Sequence, residues 1–310
     1  MDSGFLFPGQ GSQYVGMGND FYNELSCAKE IFQEASDILE FDLAKISFEG
    51  PEDELRQTRI TQPAIFTNSY LVFKLIIDFG IEPGVVAGHS LGEYSALVAC
   101  GAISFTDGLR VVKLRGELMQ NADEMEPGTM AAIIGLSAEQ VDKICKEASQ
   151  MGVVVPANYN SPEQIVISGS MAGVKKAMEL AQDSGAKRAL ELMVSAAFHS
   201  PLMSPTTQEM TNALQELQIN KPDCPIVPNV TAKPTNSPEE IRLLLIKQLT
   251  HPVRWVESVQ NMILLSGSEF YEVGPGKVLT GLLRRIDRSC SCTPVGKAED
   301  LERLKEKQAV

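Results

Sequence analysis

The sequence predicts an α/β protein, a mostly parallel sheet covered by helices on both faces, with a small βαββαβ unit inserted into it. Three observations carry this. Short apolar runs alternate with amphipathic helical stretches through residues 1–126, the rhythm of a parallel sheet whose crossovers cover it. Between 127 and 195 the rhythm becomes strand, helix, strand, strand, helix, strand, the order of the split ferredoxin-like unit. Finally, Gly88-His89-Ser90-Leu91-Gly92 sets a serine where a strand-like run turns helical.

The elements follow in order. Ser3–Phe7 is a short strand ending in the turn Pro8-Gly9-Gln10-Gly11, and helical stretches follow at 19–39 and 62–79. Val85-Val86-Ala87 reads as a buried strand, Glu93–Ala99 as a helix that Gly101 stops, and Asp107–Asn121 as another helix. Met130–Ile134 begins the small unit as a strand. Ser137-Ala138-Glu139-Gln140 is a capping-box start for a helix running to about Gln150. Two strand-like runs, Val153–Pro156 and Gln164–Ser168, are separated by Asn158-Tyr159-Asn160-Ser161-Pro162, and a helix at 171–183 and a strand at Lys187–Leu192 complete the unit. The large domain is therefore 1–126 with 196–310, and the insert is 127–195. Ser200 followed by Pro201 is an N-cap with proline at the first helical position, so His199 lies just outside a helix start. A strand at 226–230, helices at 237–249 and 252–265, a strand at Glu269–Val273, the turn Gly274-Pro275-Gly276 and a helix to Asp287 follow. The charged tail 298–310 reads as a frayed surface helix.

Bulk composition narrows the function classes. Over 310 residues, 44% are hydrophobic and 22% charged, the balance of a soluble globular chain with a large core. No apolar run approaches the roughly 20 residues that span a bilayer, and MDSGFLFPGQGS has no basic segment ahead of a long apolar one, so neither membrane span nor signal peptide is expected. Six scattered cysteines without a C-x-x-C pair fit reduced thiols of a cytoplasmic protein, not disulfides or a metal site. A net charge of −13 argues against nucleic-acid binding. An acidic protein partner would need a local basic patch, for which Lys187-Arg188 and Arg284-Arg285 with Arg288 are the candidates; each is by default ordinary solvated surface. Nothing in the sequence demands more than a monomer.

The chemistry centres on Ser90. Gly88 and Gly92 lie two residues either side of it, where a very sharp strand-to-helix turn leaves no room for a Cβ. A nucleophilic hydroxyl needs a base, and there are three histidines. His89 is Ser90's neighbour at a strand end and should point to the opposite face. His251 precedes Pro252 at a helix entrance, a structural position. A lone histidine beside a helix cap is more often structural, but if Ser90 is a nucleophile, elimination leaves His199 as its base. No carboxylate flanks His199 closely, which leaves open a distant acid or a dyad oriented by a carbonyl oxygen.

Arg115 stands in the middle of the apolar arc of its helix, with Arg110, Lys113 and Glu117 grouped on the other side. A buried guanidinium needs an anionic partner. That partner is either a structural carboxylate or a substrate carboxylate held by two hydrogen bonds. Three further matches carry less. Gly274-Pro275-Gly276-Lys277-Val278 lacks the first glycine and the Ser/Thr of a phosphate loop. Asn229-Val230-Thr231 is a glycosylation sequon, idle in the cytosol. Gly9-Gln10-Gly11 is by itself a turn, yet it follows a strand beside the elbow, from where a second oxyanion donor would complement the Leu91 N–H.

Taken together, Phe7-Pro8-Gly9-Gln10-Gly11-Ser12-Gln13, Gly88–Glu93, Asn158–Pro162, Phe198-His199-Ser200, Asn229-Val230-Thr231 and Val273–Gly276 make the chain resemble the malonyl-CoA:acyl carrier protein transacylases of fatty-acid synthesis over essentially its whole length. The resemblance implies a hydrolase-like core with a ferredoxin-like insert, no cofactor and no metal. It implies Ser90 as nucleophile, His199 as base, Arg115 as holder of the malonyl carboxylate, and the Gln10 and Leu91 N–H groups as oxyanion hole. It implies a carbonyl oxygen at Gln248 that orients the histidine, and Met119, Asn160 and Phe198 around the acyl pocket. Malonyl-CoA and acyl carrier protein are the implied partners in a ping-pong transfer through a malonyl-serine ester. Leu91 and Phe198 resemble the malonyl-selective members, since methylmalonyl-selective relatives tend to have Gln and Ser there; Ala196 departs from the histidine of related synthase domains. Two other classes compete: a serine hydrolase, which needs a carboxylate on His199 and no Arg115, and a non-catalytic binding subunit.

Overall fold

A computed structural model describes residues 3–125, 127–194 and 196–308. Glu126 and Ser195, where the sequence sets the edges of the insert, and the last two residues of the tail lie outside the described residues. In chain order the strands are β1 (Ser3–Phe7), β2 (Pro83–Gly88), β3 (Thr129–Ile134), β4 (Val154–Ser161), β5 (Gln164–Gly169), β6 (Arg188–Glu191), β7 (Glu269–Val273) and β8 (Ser291–Val295). The helices through β3 are α1 (Asn19–Glu24), α2 (Ser26–Leu39), α3 (Leu43–Glu49), α4 (Glu52–Leu55), α5 (Thr58–Asp78), α6 (Gly92–Ala99) and α7 (Phe105–Met125). Beyond it come α8 (Ala138–Ala148), α9 (Met171–Asp183), α10 (Thr207–Glu216), α11 (Pro238–Gln248), α12 (Trp255–Ser266), α13 (Val278–Ile286) and α14 (Ala298–Gln308).

Two sheets organise these elements. The first is parallel throughout, in the order β2-β1-β7-β8. Alternation along β1 sends Phe5 and Phe7 into one helical layer and Leu6 into the other, where it meets Trp255, Val259 and Met262 of α12. The second sheet is antiparallel in the order β4-β5-β3-β6. One of its faces carries Ala131, Ile133, Ile165 and Ile167 against α8 and α9. The opposite face brings Met130, Ala132 and Val166 into the core of the large sheet. The small sheet therefore lies against the large one, and a cleft between them is where the site forms.

Several expectations need correction. The stretch 19–39 is two helices, because Leu25 is extended (φ −118°, ψ 129°) and ends α1. Helices α3 and α4 are too short to show a period, and α5 begins at Thr58, ahead of position 62. Asn158–Ser161 belong to β4 and are not a loop: Asn158 pairs with Val166 and Ser161 with Gln164. Cross-strand pairing overrides the poor strand preference of asparagine there. Residues 226–230 are not a strand. Ile226 forms isolated bridges to Val86 and Thr235, and Pro228 has no N–H to continue a ladder. Strand β8 was not foreseen, since only its neighbour β7 gives Ser291–Val295 a partner. The tail helix α14 packs Leu301 and Leu304 into the core, so it is more than surface.

Candidate functional site

Strands β1 and β2 end side by side, with Phe7 opposite Gly88, so the turns that follow them meet. The His89 N–H donates to the Phe7 carbonyl over 3.0 Å. A Cβ on Gly88 would lie 1.8 Å from the Gly92 carbonyl carbon, and one on Gly92 2.0 Å from the Phe7 oxygen. Both glycines are therefore compulsory for the elbow. Between them Ser90 adopts φ 51°, a left-handed conformation that a side chain rarely takes and that lifts its hydroxyl out of both strand and helix.

Such a residue cannot use the sheet ladder, so side chains satisfy its backbone. The Ser90 N–H donates to Asn229 Oδ1 (2.7 Å), and Asn229 Nδ2 donates to the Gly88 carbonyl (2.6 Å). Gln248 Nε2 donates to the Ser90 carbonyl (3.0 Å) and to Glu93 Oε2 (2.9 Å), which also accepts from the Asn229 N–H (2.9 Å).

His199 faces the hydroxyl, its Nε2 2.8 Å from Ser90 Oγ. Its Nδ1 lies 2.8 Å from the Gln248 carbonyl oxygen and 3.2 Å from that of His251. Carbonyls only accept, so Nδ1 carries the proton and Nε2 presents its lone pair to Oγ. Burial, reinforced by the Arg115 charge, lowers the His199 pKa to about 3, and the ring is a neutral base at ordinary pH. The backbone of His199 is itself left-handed (φ 58°), just before the Ser200 cap. His89 turns to Asn160 and Trp255, with Nε2 2.7 Å from Asn160 Oδ1.

Arg115 is fully buried. Its Nη1 donates to Gln62 Oε1 (2.7 Å), and its Nη2 to Ser90 Oγ (3.0 Å) and Gln248 Oε1 (3.0 Å), while Nε has no partner among the described residues. The guanidinium lies over the Tyr94 ring at 5.5 Å. None of the described ion pairs includes Arg115, so the structural-carboxylate alternative has no direct partner. Neutral oxygens hold this charge, in a way that a carboxylate could replace.

These groups open onto one cavity of about 110 Å³. Gln10, Leu91, Met119 and Phe198 line it from the large sheet's side, and Met130, Asn158, Leu192 and Val194 from the small sheet's. The Gln10 side chain is tied to Thr58 Oγ1 (3.3 Å), and the backbone N–H groups of Gln10 and Leu91 take no partner among the described residues. Asn160 is a correction: it does not line the cavity. It sits beyond His89 where the β4 register is irregular, and Asn158, two residues earlier, lines the cavity instead.

Sequence reading missed Gln62, Glu93 and the role of Asn229. A glutamate in a first helical turn reads as a dipole complement, and Asn229 entered only through the triplet Asn229-Val230-Thr231, as a sequon and as part of the resemblance, with no role of its own. Gln62 gave no signal of its own, because α5 also buries Thr58, Thr61, Thr67, Asn68 and Ser69. The arrangement can add an alkoxide to an acyl carbon, meet the resulting oxyanion with two N–H groups, and hold an anion on the far end of the acyl chain.

Comparison with known proteins finds similar chains. The acyl transferase domain family matches residues 4–304. The chain is 44% identical over 299 residues to the malonyl CoA-acyl carrier protein transacylase of Bacillus subtilis (strain 168), covering 96% of this chain and 94% of that one. It is 45% identical over 283 residues to that of Escherichia coli (strain K12), covering 91% and 92%. Among solved structures it resembles the acyl-carrier-protein S-malonyltransferase of Burkholderia pseudomallei 1710b, with TM-score 0.94, 43% identity and coverage of 99% and 100%. A malonyl-transacylase solved in complex with its type II PKS acyl-carrier protein gives TM-score 0.95, 41% identity and coverage of 99% and 100%.

Proposed function

The chain belongs to the acyl transferase domain family, and on that premise we propose that it moves malonyl groups from malonyl-CoA to the phosphopantetheine thiol of acyl carrier protein in fatty-acid synthesis. The observation that carries the reading is that one hydroxyl, Ser90 Oγ, meets both the His199 imidazole at 2.8 Å and the Arg115 guanidinium at 3.0 Å.

Ser90 Oγ attacks the thioester carbon as its proton passes to His199 Nε2, and the Gln10 and Leu91 N–H groups receive the oxyanion. His199 returns the proton to the departing sulfur of CoA, leaving a malonyl-serine ester. The far carboxylate of that ester is one methylene beyond the ester carbon, within reach of a guanidinium that already touches Oγ. The carrier thiol then repeats the cycle in reverse, with His199 again taking the proton. Carbonyl oxygens on Nδ1, where a hydrolase triad would have a carboxylate, favour transfer over the serine-hydrolase alternative.

For the carrier protein we favour the exposed Arg284, Arg285 and Arg288, which border a surface hollow of about 480 Å³. Lys187 of the other candidate patch is already engaged by Glu163 at 2.9 Å, which leaves Arg188 alone there. The same reading takes 1–126 with 196–310 as the catalytic unit and 127–195 as its insert, acting as a monomer in the cytoplasm. No described helix is long and apolar enough to cross a membrane.

The test is to incubate the protein with malonyl-CoA, weigh it, and then add holo carrier protein. A malonyl adduct that Ser90→Ala lacks and the carrier protein discharges is the expected result. Turnover to free malonate would instead make the protein a hydrolase, and the absence of any covalent mass would make it a binding module.

A further inference from the structure

Glu93 is a buried carboxylate, 2% exposed, that the transfer steps above do not use. It sits three residues beyond Ser90 in the first turn of α6. Gln248 joins it to Arg115: one end of that amide donates to Glu93 Oε2 over 2.9 Å, and the other accepts from Arg115 Nη2 over 3.0 Å. Oε2 also takes the Asn229 N–H, which leaves Oε1 for a proton. The other titratable groups around this pair are Tyr94 on α6, His89 at the end of β2 and His199 before α10. Burial keeps the phenol protonated and the His199 imidazole neutral, and it pushes His89 toward its neutral form. Glu93 is therefore the anion and Arg115 the cation of the site, one amide apart.

We propose that Glu93 is the counterweight of Arg115, ionised while the acyl pocket is empty, and that it takes up a proton from solvent when a malonyl carboxylate arrives on the guanidinium. The inference rests on the malonyl-transfer reading. Two carboxylates cannot share one buried guanidinium at the energy of one, because the second anion loses its share of the attraction and gains a like charge. Malonyl-CoA brings a strong acid that stays ionised, so Glu93 is the member that yields. Burial raises the Glu93 carboxyl to about 7 even with Asn229, Gln248 and, least of the three, Arg115 pulling it down, so little further change is needed. An acetyl group brings no charge and leaves Glu93 as it was. Glu93 is on this account a positioning residue that adapts the site to a charged acyl chain.

Proton exchange during a single malonylation tests this, using a pH indicator in weak buffer and subtracting the release expected from the same amount of free CoA thiol. The wild type should take up close to one proton per malonyl group at about pH 8 and almost none at about pH 5.5, where Glu93 is already protonated. Glu93→Gln, which keeps the shape and removes the charge, should take up none at either pH. Its KM for malonyl-CoA should also lose the rise above neutral pH that the wild type has. A wild type that becomes malonylated without uptake at about pH 8 overturns the proposal, as does equal uptake by the variant. Should the variant fail to fold, the wild-type pH series decides alone. Absence of a covalent adduct by mass would overturn the transfer reading and this inference with it, whereas an adduct without uptake overturns this inference only.

Discussion

Arg115 Nη2 lies 3.0 Å from Ser90 Oγ, so the fixed cation of the site touches the very atom to which an acyl group would be attached. On the proposed reading an acyl chain would extend from Oγ, and a carboxylate one methylene past the ester would lie within reach of the guanidinium. Arg115→Ala should lower kcat/KM for malonyl-CoA by about 100-fold, the worth of two charged hydrogen bonds, while acetyl transfer falls far less. Initial rates with both thioesters check it. Equal losses on the two acyl groups would remove the carboxylate clamp from the account.

Gln248 acts through two separable parts. Its main-chain oxygen orients His199, and its side chain links Ser90, Glu93 and Arg115. Gln248→Ala keeps the first and deletes the second. The variant should retain a reactive Ser90 yet lose about 10-fold in malonyl transfer, with KM carrying more of the loss than kcat. A complete loss of serine reactivity toward an uncharged acylating reagent would mean the side chain, too, is needed to hold His199.

The pH dependence has two opposed parts. His199 is lowered from 6.5 to about 3, so the unfolded chain binds a proton that the folded one refuses, and this contribution to stability is lost as pH falls from 6.5 toward 3. Glu93 is raised from 4.5 to about 7, so its contribution is present below 4.5 and is lost as pH rises through 7. Denaturant midpoints measured against pH should lose the acid slope in His199→Gln and the neutral slope in Glu93→Gln. Acylation rates should keep their basic-form plateau well below pH 6.5, the ordinary imidazole value; an acid limb centred near that value would contradict a buried neutral His199.

Gly88→Ala and Gly92→Ala should each cost about 3 kcal/mol or more, because the new Cβ meets backbone at 1.8 and 2.0 Å and neither strand nor helix can retreat. Thermal midpoints and soluble yield measure this. Gly281→Ala is the control: it lies inside α13, a Cβ there meets nothing within 4 Å, and the same substitution should raise the midpoint slightly, by about 0.5–1 kcal/mol of helix preference.

Much of the site was legible because its signals are local. The turn at Ser90 is written in two glycines whose absence of Cβ can be inferred from spacing alone. Arg115 betrays itself by standing inside an apolar arc, since no helix buries a guanidinium without a partner. Asn160 was misplaced for a non-local reason: which asparagine of β4 reaches the cavity depends on where His89 turns, and that is fixed by Trp255, far along the chain. Glu93 looked like an ordinary first-turn acid because its partners, Asn229 and Gln248, lie more than a hundred residues away.

By itself, then, the sequence determined the alternation of strand and helix, the inserted antiparallel unit, the serine elbow and the pairing of Ser90 with His199, all of which follow from short-range periodicity, missing side-chain volume and elimination among three histidines. Tertiary structure decided which neutral oxygens surround Arg115, that the His251 carbonyl joins that of Gln248 on His199, and that Glu93 sits one amide from the guanidinium. Those are matters of ångström-scale distance between segments remote in the chain. Electrostatic energy in a buried site depends on just those distances, and no pattern of neighbours along the backbone encodes them.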